Sequence, residues 1–413
     1  MSKRLISVFA ALALACSALT ACGSAENGSG TAQTTTTAAA ATTTTTQKAE
    51  ETTAETMTTT AQKAEETTAP TTKKAEETTT STETQPEAAE PEKTDSETEQ
   101  PTRKIIIDTD TGADDASALI LAAKSKNIEI LGVTTLLGNV DLEQSTQNAI
   151  MALETAGCDA PVYKGAAETF NGKLKDAFSV FGADGMGEAD LIHPTRSAEE
   201  KDAVSFILDT VRENPGEVEL VVLGPVTNIA LAIQKDPETM KQVKMIWSMG
   251  TAGLGPGNAS PVAEFNIYGD AEAYKIMLDS GIPVTIIGLD MCDGEAMWTD
   301  EQFKELNELN DTGRFVSSSF GKIREFYAEN GSDTVMNCDC VAMSCVVDSD
   351  FVKGTIQAHG SCITDEGETY AMVIFYKEGM TYDLIDNDFD YNVTLVTEVD
   401  KANYFELFKN AIS

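Results

Sequence analysis

The chain of 413 residues is short of positive charge: 29 Lys and Arg stand against 67 Asp and Glu, a formal net charge of −38. A nucleic-acid binder working through a general basic face needs clustered Lys and Arg to neutralise phosphates, so that class is excluded. The same imbalance argues against an electrostatic grip on anionic lipid. Histidine is scarcer still. Only His193 and His359 are present, neither lies in a motif, and both read as surface or loop residues. Aromatic residues make up 6% and apolar residues 41%, which implies that part of the chain is not packed. Long apolar runs are also lacking. The longest, Leu5 to Leu19, is too short for a comfortable membrane span.

That run follows Lys3 and Arg4 and ends in Leu19-Thr20-Ala21-Cys22-Gly23, the pattern of an export leader. The ending resembles a bacterial lipobox, which implies that residues 1–22 are a lipoprotein signal peptide and that Cys22 carries the lipid. Export to the outer face of a bacterial cell membrane, with a lipid as sole anchor, is the expectation. Residues 23–102 are low in complexity. Threonine fills 25 of the 54 positions from 31 to 84, and Lys-Ala-Glu-Glu-Thr-Thr recurs from Lys48, Lys63 and Lys74. With almost nothing to bury, such a segment cannot offset its folding entropy and is expected to be a disordered tether.

The remaining charge is the more informative part. Residues 23–100 carry 15 acids and 5 lysines, whereas 101–413 carry 52 acids and 22 bases, so the globular part is itself strongly acidic. Residues 103–413 alternate apolar β-rich runs with helix-period segments. Lys104–Ile107, Ile128–Thr135, Val218–Leu223, Val243–Ser248 and Val284–Gly288 read as strands. Asp114–Lys124, Glu143–Ala156, Thr227–Gln234 and Glu272–Ser280 read as helices. Continuous apolar strands alternating with helices predict an α/β fold, an open, mostly parallel sheet covered on both faces. Ligands in such folds sit beyond the carboxyl ends of the strands.

There, directly after the first strand, stands Asp108-Thr109-Asp110-Thr111-Gly112-Ala113-Asp114-Asp115. Four carboxylates in eight residues repel one another. A helix N-terminus offsets part of this, and a hard divalent cation offsets more; an all-oxygen donor set suits Ca²⁺ or Mg²⁺ and not zinc. The spacing is not that of an EF-hand loop, and a single glycine is not a dinucleotide fingerprint.

The motif resembles the DxDxGxDD signature of the inosine–uridine-preferring nucleoside hydrolases, calcium-dependent N-ribohydrolases, with Thr111 where that family usually has proline. The resemblance continues in order through Gly132–Thr135 with Gly138-Asn139, Leu223-Gly224-Pro225-Val226-Thr227-Asn228, Gly257-Asn258 with Ala263-Glu264-Phe265-Asn266, Asp290, and Asn337–Ala342. It covers roughly 104–413 and implies hydrolysis of ribonucleosides to ribose and free base. By motif position it implies that Asp110, Asp115, the Thr227 carbonyl and Asp339 hold Ca²⁺, and that Asp110 is the general base for the attacking water. It further implies that Asp114 and Asn266 bind the 2′-hydroxyl and Asp339 the 3′-hydroxyl, that Asn258 and Glu264 reach the 5′-hydroxyl, and that Asn139 sits near the ring. Anions around the sugar would stabilise an oxocarbenium-like transition state. Asp108, on the strand, is expected to orient the loop or a nearby water rather than bind metal. Met249 either lines the ribose pocket or belongs to the core. Relatives are usually dimers or tetramers, which makes a homodimer or homotetramer the implied assembly.

The chain departs from the family where the departing base is protonated. Cys338 stands where many members have histidine before the last calcium aspartate, and Phe181 precedes Gly182 where a second histidine is often found. Three outcomes stay open: Cys338 as the proton donor, as resemblance to a cysteine-bearing subgroup implies; Phe181 stacking on the base; or a weak hydrolase. The first two acting together, with purine nucleosides weakly favoured, is the expectation. Six cysteines remain beyond the leader, Cys158, Cys292, Cys338, Cys340, Cys345 and Cys362, an even number that permits disulfides in an exported protein. The rival function is a non-catalytic, calcium-dependent nucleoside- or ribose-binding lipoprotein, for which a water-activating base would be superfluous.

Overall fold

Three consecutive isoleucines, Ile105–Ile107, are fully buried because strand β1 (Arg103–Thr109) lies inside a sheet covered on both faces. Their side chains alternate between two apolar clusters: Ile105 and Ile107 point into one, Ile106 into the other. The computed structural model describes residues 102–413 apart from 173 and 175–177. The expected leader, the expected lipidation site Cys22 and the expected linker up to residue 101 lie outside the described residues.

The other strands are β2 (Ile128–Thr135), β3 (Val162–Lys164), β4 (Val218–Val222), β5 (Met245–Met249), β6 (Val284–Ile287), β7 (Trp298–Thr299), β8 (Thr334–Val335), β9 (Val352–Cys362), β10 (Val373–Lys377) and β11 (Val393–Val399). Nine of them form one sheet in the order β10-β9-β11-β6-β5-β4-β1-β2-β3, and β7 pairs with β8 separately. From β3 to β11 all pairings are parallel, and β9 runs antiparallel to both β10 and β11. The mostly parallel sheet expected from the sequence is present, and its five anticipated strands fall within a residue or two of their expected limits. The antiparallel edge carries a different signature. Along β9 more and less exposed positions alternate, as they do in a sheet with one wetted face.

The chief helices are α1 (Ala113–Lys124), α2 (Leu142–Ala156), α3 (Ala203–Glu213), α4 (Thr227–Lys235), α5 (Phe265–Gly269), α6 (Ala271–Asp279), α7 (Asp300–Leu309), α8 (Asp311–Ser319), α9 (Gly321–Glu329), α10 (Cys338–Val347) and α11 (Tyr404–Ile412). α1 is buried throughout Ala113–Leu121 and packs against α2, α10 and α11. α10 is apolar on nearly every side and buried from Asp339 to Val346, so it threads the core and cannot be a surface helix. Trp298, with Phe303, Phe320, Tyr404 and Phe408 around it, fills the space beneath α7 to α11.

One topological feature positions the site. From β1 the chain builds outward through β2 and β3 on one side, then returns to place β4, β5 and β6 on the other. Strand order therefore reverses between β1 and β4. The loops leaving the carboxyl ends of these two strands diverge and open a crevice. The Asp-rich loop leaves β1 there, and Leu223-Gly224-Pro225 leaves β4.

Candidate active site

Asp110 is 1% exposed and is enclosed by two glycines. A β-carbon on Gly138 would overlap its Oδ2, and one on Gly224 would overlap its Oδ1. These two glycines, each beyond a different strand, are required by close approach. The Asn139 backbone N–H donates to Asp110 Oδ2 at 2.7 Å, while Oδ1 is buried without a partner.

Asp115 is held on several sides. It accepts from Thr109 Oγ1 at 2.5 Å, from the Gly112 N–H at 2.9 Å and from Asn139 Nδ2 at 3.0 Å. Asn139 thus spans Asp110 and Asp115 with its backbone and its side chain. α10 brings Asp339 to the same place from the far end of the chain. One carboxylate oxygen from each of Asp114, Asp115 and Asp339 lies within 4.8 Å of the others. Asp114 Oδ1 is a second buried oxygen without a partner. Among the expected metal ligands, Asp115 and Asp339 come together as anticipated. Asp114, assigned to a sugar hydroxyl, joins them, and Asp110 stands alongside.

The electrostatics of this group are strained. Burial, then the charge of Asp115, raises Asp110 well above the carboxylate range; burial, then the charges of Asp115 and Asp114, does the same for Asp339. Burial and Asp115 push Asp114 up to about 8, and burial raises Asp115 despite its hydrogen bonds. Among the described residues, no cationic side chain hydrogen-bonds or ion-pairs with any of the four. Unpartnered oxygens, exclusively oxygen donors and uncompensated negative charge together fit a hard divalent cation.

Asp108 accepts from Thr134 Oγ1 and from Asn228 Nδ2 at 2.8 Å, and burial pushes its pKa up to about 7. Its bonds run to β2 and α4, in keeping with a loop-anchoring residue. Thr227 opens α4 and is 2% exposed. Its hydroxyl donates to Asp270 Oδ2 at 2.6 Å, and the same oxygen accepts from the Phe170 N–H. Neither Asp270 nor the bridging role of Asn228 was assigned from sequence; both act through contacts distant along the chain.

Beyond β5, Asn266 Nδ2 donates to the Leu223 carbonyl at 2.8 Å and approaches Met249 Sδ at 3.7 Å. Met249 is a core residue, 3% exposed, and it also abuts Asn266. Glu264 caps α5, accepting from the Asn266 and Ile267 N–H groups at 3.0 and 3.3 Å. Burial still raises its pKa to about 7. Asn258 Oδ1 accepts from the Phe265 N–H at 2.9 Å, tying the glycine-rich loop before it to the same helix.

Cys338, half-buried at the start of α10, is a free thiol, as are the other five described cysteines. A hydrogen bond with the Cys292 thiol, burial, and the charges of Asp114 and Glu264 hold its pKa well above the usual thiol value. The thiol is therefore protonated at neutral pH and lies within electrostatic reach of the acidic group. Phe181 ends a single helical turn (Phe178–Phe181) and is 9% exposed within the apolar core; in this conformation its ring offers a base little open face. His193 and His359 are both distant in role. His193 bonds the Asp190 carbonyl, and His359 stacks on Phe389. Tyr327, on α9, went unnoticed in the sequence. Its phenol is raised by burial and by the charges of Cys338 and Asp114, so it borders the site, and nothing in its surrounding sequence signals that.

The arrangement can bind a hard cation, accept a proton from water at Asp110 and present neutral N–H and S–H donors around an anionic hollow. A family model described as inosine-uridine preferring nucleoside hydrolase matches residues 105–406. A protein named probable uridine nucleosidase 1 from Oryza sativa subsp. japonica is 36% identical over 277 residues, covering 64% of this chain and 85% of its own length. Among solved structures, a plant nucleoside hydrolase superposes with a TM-score of 0.71 at 30% identity, covering 76% of this chain and 99% of that one. A purine-preferring ribonucleoside hydrolase from Gardnerella vaginalis superposes with a TM-score of 0.69 at 29% identity, covering 75% and 98%.

Proposed function

The chain belongs to the inosine-uridine preferring nucleoside hydrolase family and is a glycosidase of N-glycosyl compounds; on that premise we propose that it cleaves ribonucleosides to ribose and base, using Ca²⁺ and Asp110 as general base. The observation that carries the proposal is Asp110 itself, clasped by Gly138 and Gly224 with one buried oxygen left free for a water.

Asp110, Asp115, Asp339 and the Thr227 carbonyl would hold the ion, with Asp114 close enough to join them. Bound there, a divalent cation acidifies water and draws in vicinal sugar hydroxyls. The chain supplies the rest. The Asn139 N–H fixes one oxygen of Asp110, so the other is aimed and receives the proton of the attacking water. Asn266, anchored on the Leu223 carbonyl, and Asp114 bind the 2′-hydroxyl, and Asp339 the 3′-hydroxyl. Asn258 and Glu264 take the 5′-hydroxyl. The surrounding carboxylates stabilise positive charge as it develops on the ribosyl ring. Cys338, held in its neutral form, passes its proton to the departing base.

Purine nucleosides are the weakly preferred substrates in this proposal. Relatives named for uridine and for purines are both similar to the chain, so the test must include both kinds of base. The protein acts outside the cell, held at a bacterial membrane surface by a lipid on Cys22 and a tether of residues 23–102. The decisive experiment assays a nucleoside panel for free ribose, with and without EDTA. Ribose release that is lost with EDTA and restored by Ca²⁺ is expected. Saturable nucleoside binding without ribose release would instead identify a receptor.

A further inference from the structure

Three glycines converge on one carboxylate that the mechanism does not use. A β-carbon on Gly253 would overlap Asp290 Oδ1, one on Gly288 would lie 2.6 Å from the same atom, and one on Gly255 would lie 3.0 Å from Asp290 Cβ. The Leu254 N–H, between the first and last of these in the loop, donates to Asp290 Oδ2 at 3.0 Å. The loop is thus moulded around this side chain. At its start Thr251 takes a left-handed conformation (φ 73°) while 2% exposed, a strained arrangement for a β-branched residue that its surroundings must hold in place. The Thr251 carbonyl accepts from the Leu289 N–H, and its backbone also bonds the Glu264 carboxylate. At the other end the Asn258 N–H donates to the Ala263 carbonyl. From below, Lys401 Nζ donates to the Asp290 carbonyl at 2.8 Å, which ties the clamp to the C-terminal part of the fold.

We propose that Asp290 is a positioning residue: by clamping residues 251–258 it sets Asn258 and Glu264 at the distance needed to grip the sugar 5′-hydroxyl. This inference rests on the function proposed above. Its distinctive consequence is substrate-selective. Loosening the clamp should cost activity only to the extent that a substrate has a 5′-hydroxyl to be gripped.

The test compares inosine or uridine, whichever the wild type cleaves faster, with its 5′-deoxy counterpart. In Asp290→Ala, kcat/KM on the hydroxylated substrate is expected to fall about 10- to 100-fold, as small misplacements of positioning groups do. The 5′-deoxy substrate should change by less than about threefold on the same grounds. Asp290→Asn retains an acceptor for the Leu254 N–H and should restore most of the discrimination. Gly255→Ala presses on the clamp from the loop side; it should shift the ratio the same way, and it carries the test if Asp290→Ala does not fold. Equal losses on both substrates, or no loss on either, would overturn the inference while leaving the hydrolase function intact. A wild-type protein that cleaves neither substrate would overturn the functional proposal and this inference with it.

Discussion

Gly138, beyond β2, has no room for a side chain because Asp110, beyond β1, occupies that space. The strand pairing that aligns β1 with β2 therefore also shapes the surroundings of Asp110, the proposed general base. Gly138→Ala should displace Asp110 or the Asn139 N–H bound to it. A fall in kcat of about 100-fold or more is expected, approaching that of Asp110→Asn, with KM much less affected. Steady-state kinetics with urea unfolding as a control would check this. A folded Gly138→Ala protein with wild-type kcat would contradict the assignment of Asp110.

Cys338→Ala separates the departure of the base from the attack of water. Ribose release from inosine should drop by about 10²-fold or more, the usual contribution of a general acid. Nitrophenyl riboside, whose leaving group departs without a proton, should be cleaved at close to the wild-type rate. Comparable losses on the two substrates would remove Cys338 from the proton path.

The acidic group predicts how metal and pH combine. Without a cation, Asp108 and Glu264 titrate at about 7 and Asp114 at about 8, above their unfolded values near 4. Between those limits the folded state binds more protons than the unfolded state, so the metal-free protein loses stability as pH rises from about 4 to 8. On the proposed function, Ca²⁺ would offset the charge that appears over that range. The stabilisation produced by Ca²⁺, read as its Tm gain, should accordingly be larger at pH 8 than at pH 5.5, by a free energy on the order of 2 kcal/mol or more. Equal gains at the two pH values, measured by calorimetry, would argue that the cation binds elsewhere.

An opposite pH response is expected from the other end of the strands. Glu219 on β4 is 1% exposed and bonded by Arg103, by Lys244 Nζ at 2.8 Å and by Trp247 Nε1 at 2.8 Å. These partners outweigh its burial and lower its pKa to about 2. The stabilisation is complete above the unfolded value near 4.5 and is lost as pH falls toward 2, a contribution of about 2–3 kcal/mol. Urea midpoints between pH 2 and 6 should show a slope that Glu219→Gln flattens; parallel curves for the two proteins would refute it.

Much of this was legible in the order of residues. Ile105–Ile107, Val218–Val222 and Val284–Ile287 are buried on both faces, so their largely apolar runs, interrupted only by Glu219 and Thr285, disclosed a parallel sheet directly. Asp110, Asp114 and Asp115 were conspicuous because carboxylates so close in sequence must also be close in space. Asp339 was found only through a resemblance, since nothing local to α10 says that it will meet α1. Asp270 and Tyr327 were missed, and Asp290 was met only as a point of the resemblance without a role, because their surroundings are completed by segments remote along the chain. Glu219 was hidden differently, as a single charge inside an apolar strand whose partners lie on neighbouring strands.

α10 packs against α1, and so joins a late segment of the chain to an early one. Asp339 meets Asp114 and Asp115 across a long stretch of chain, so the mutual repulsion of these carboxylates belongs to the assembled domain and to neither helix alone. A cation bound there, as proposed, would offset that repulsion and tie the two helices together. In the proposed function, the ion that readies the site for chemistry would also fasten an early segment of the chain to a late one.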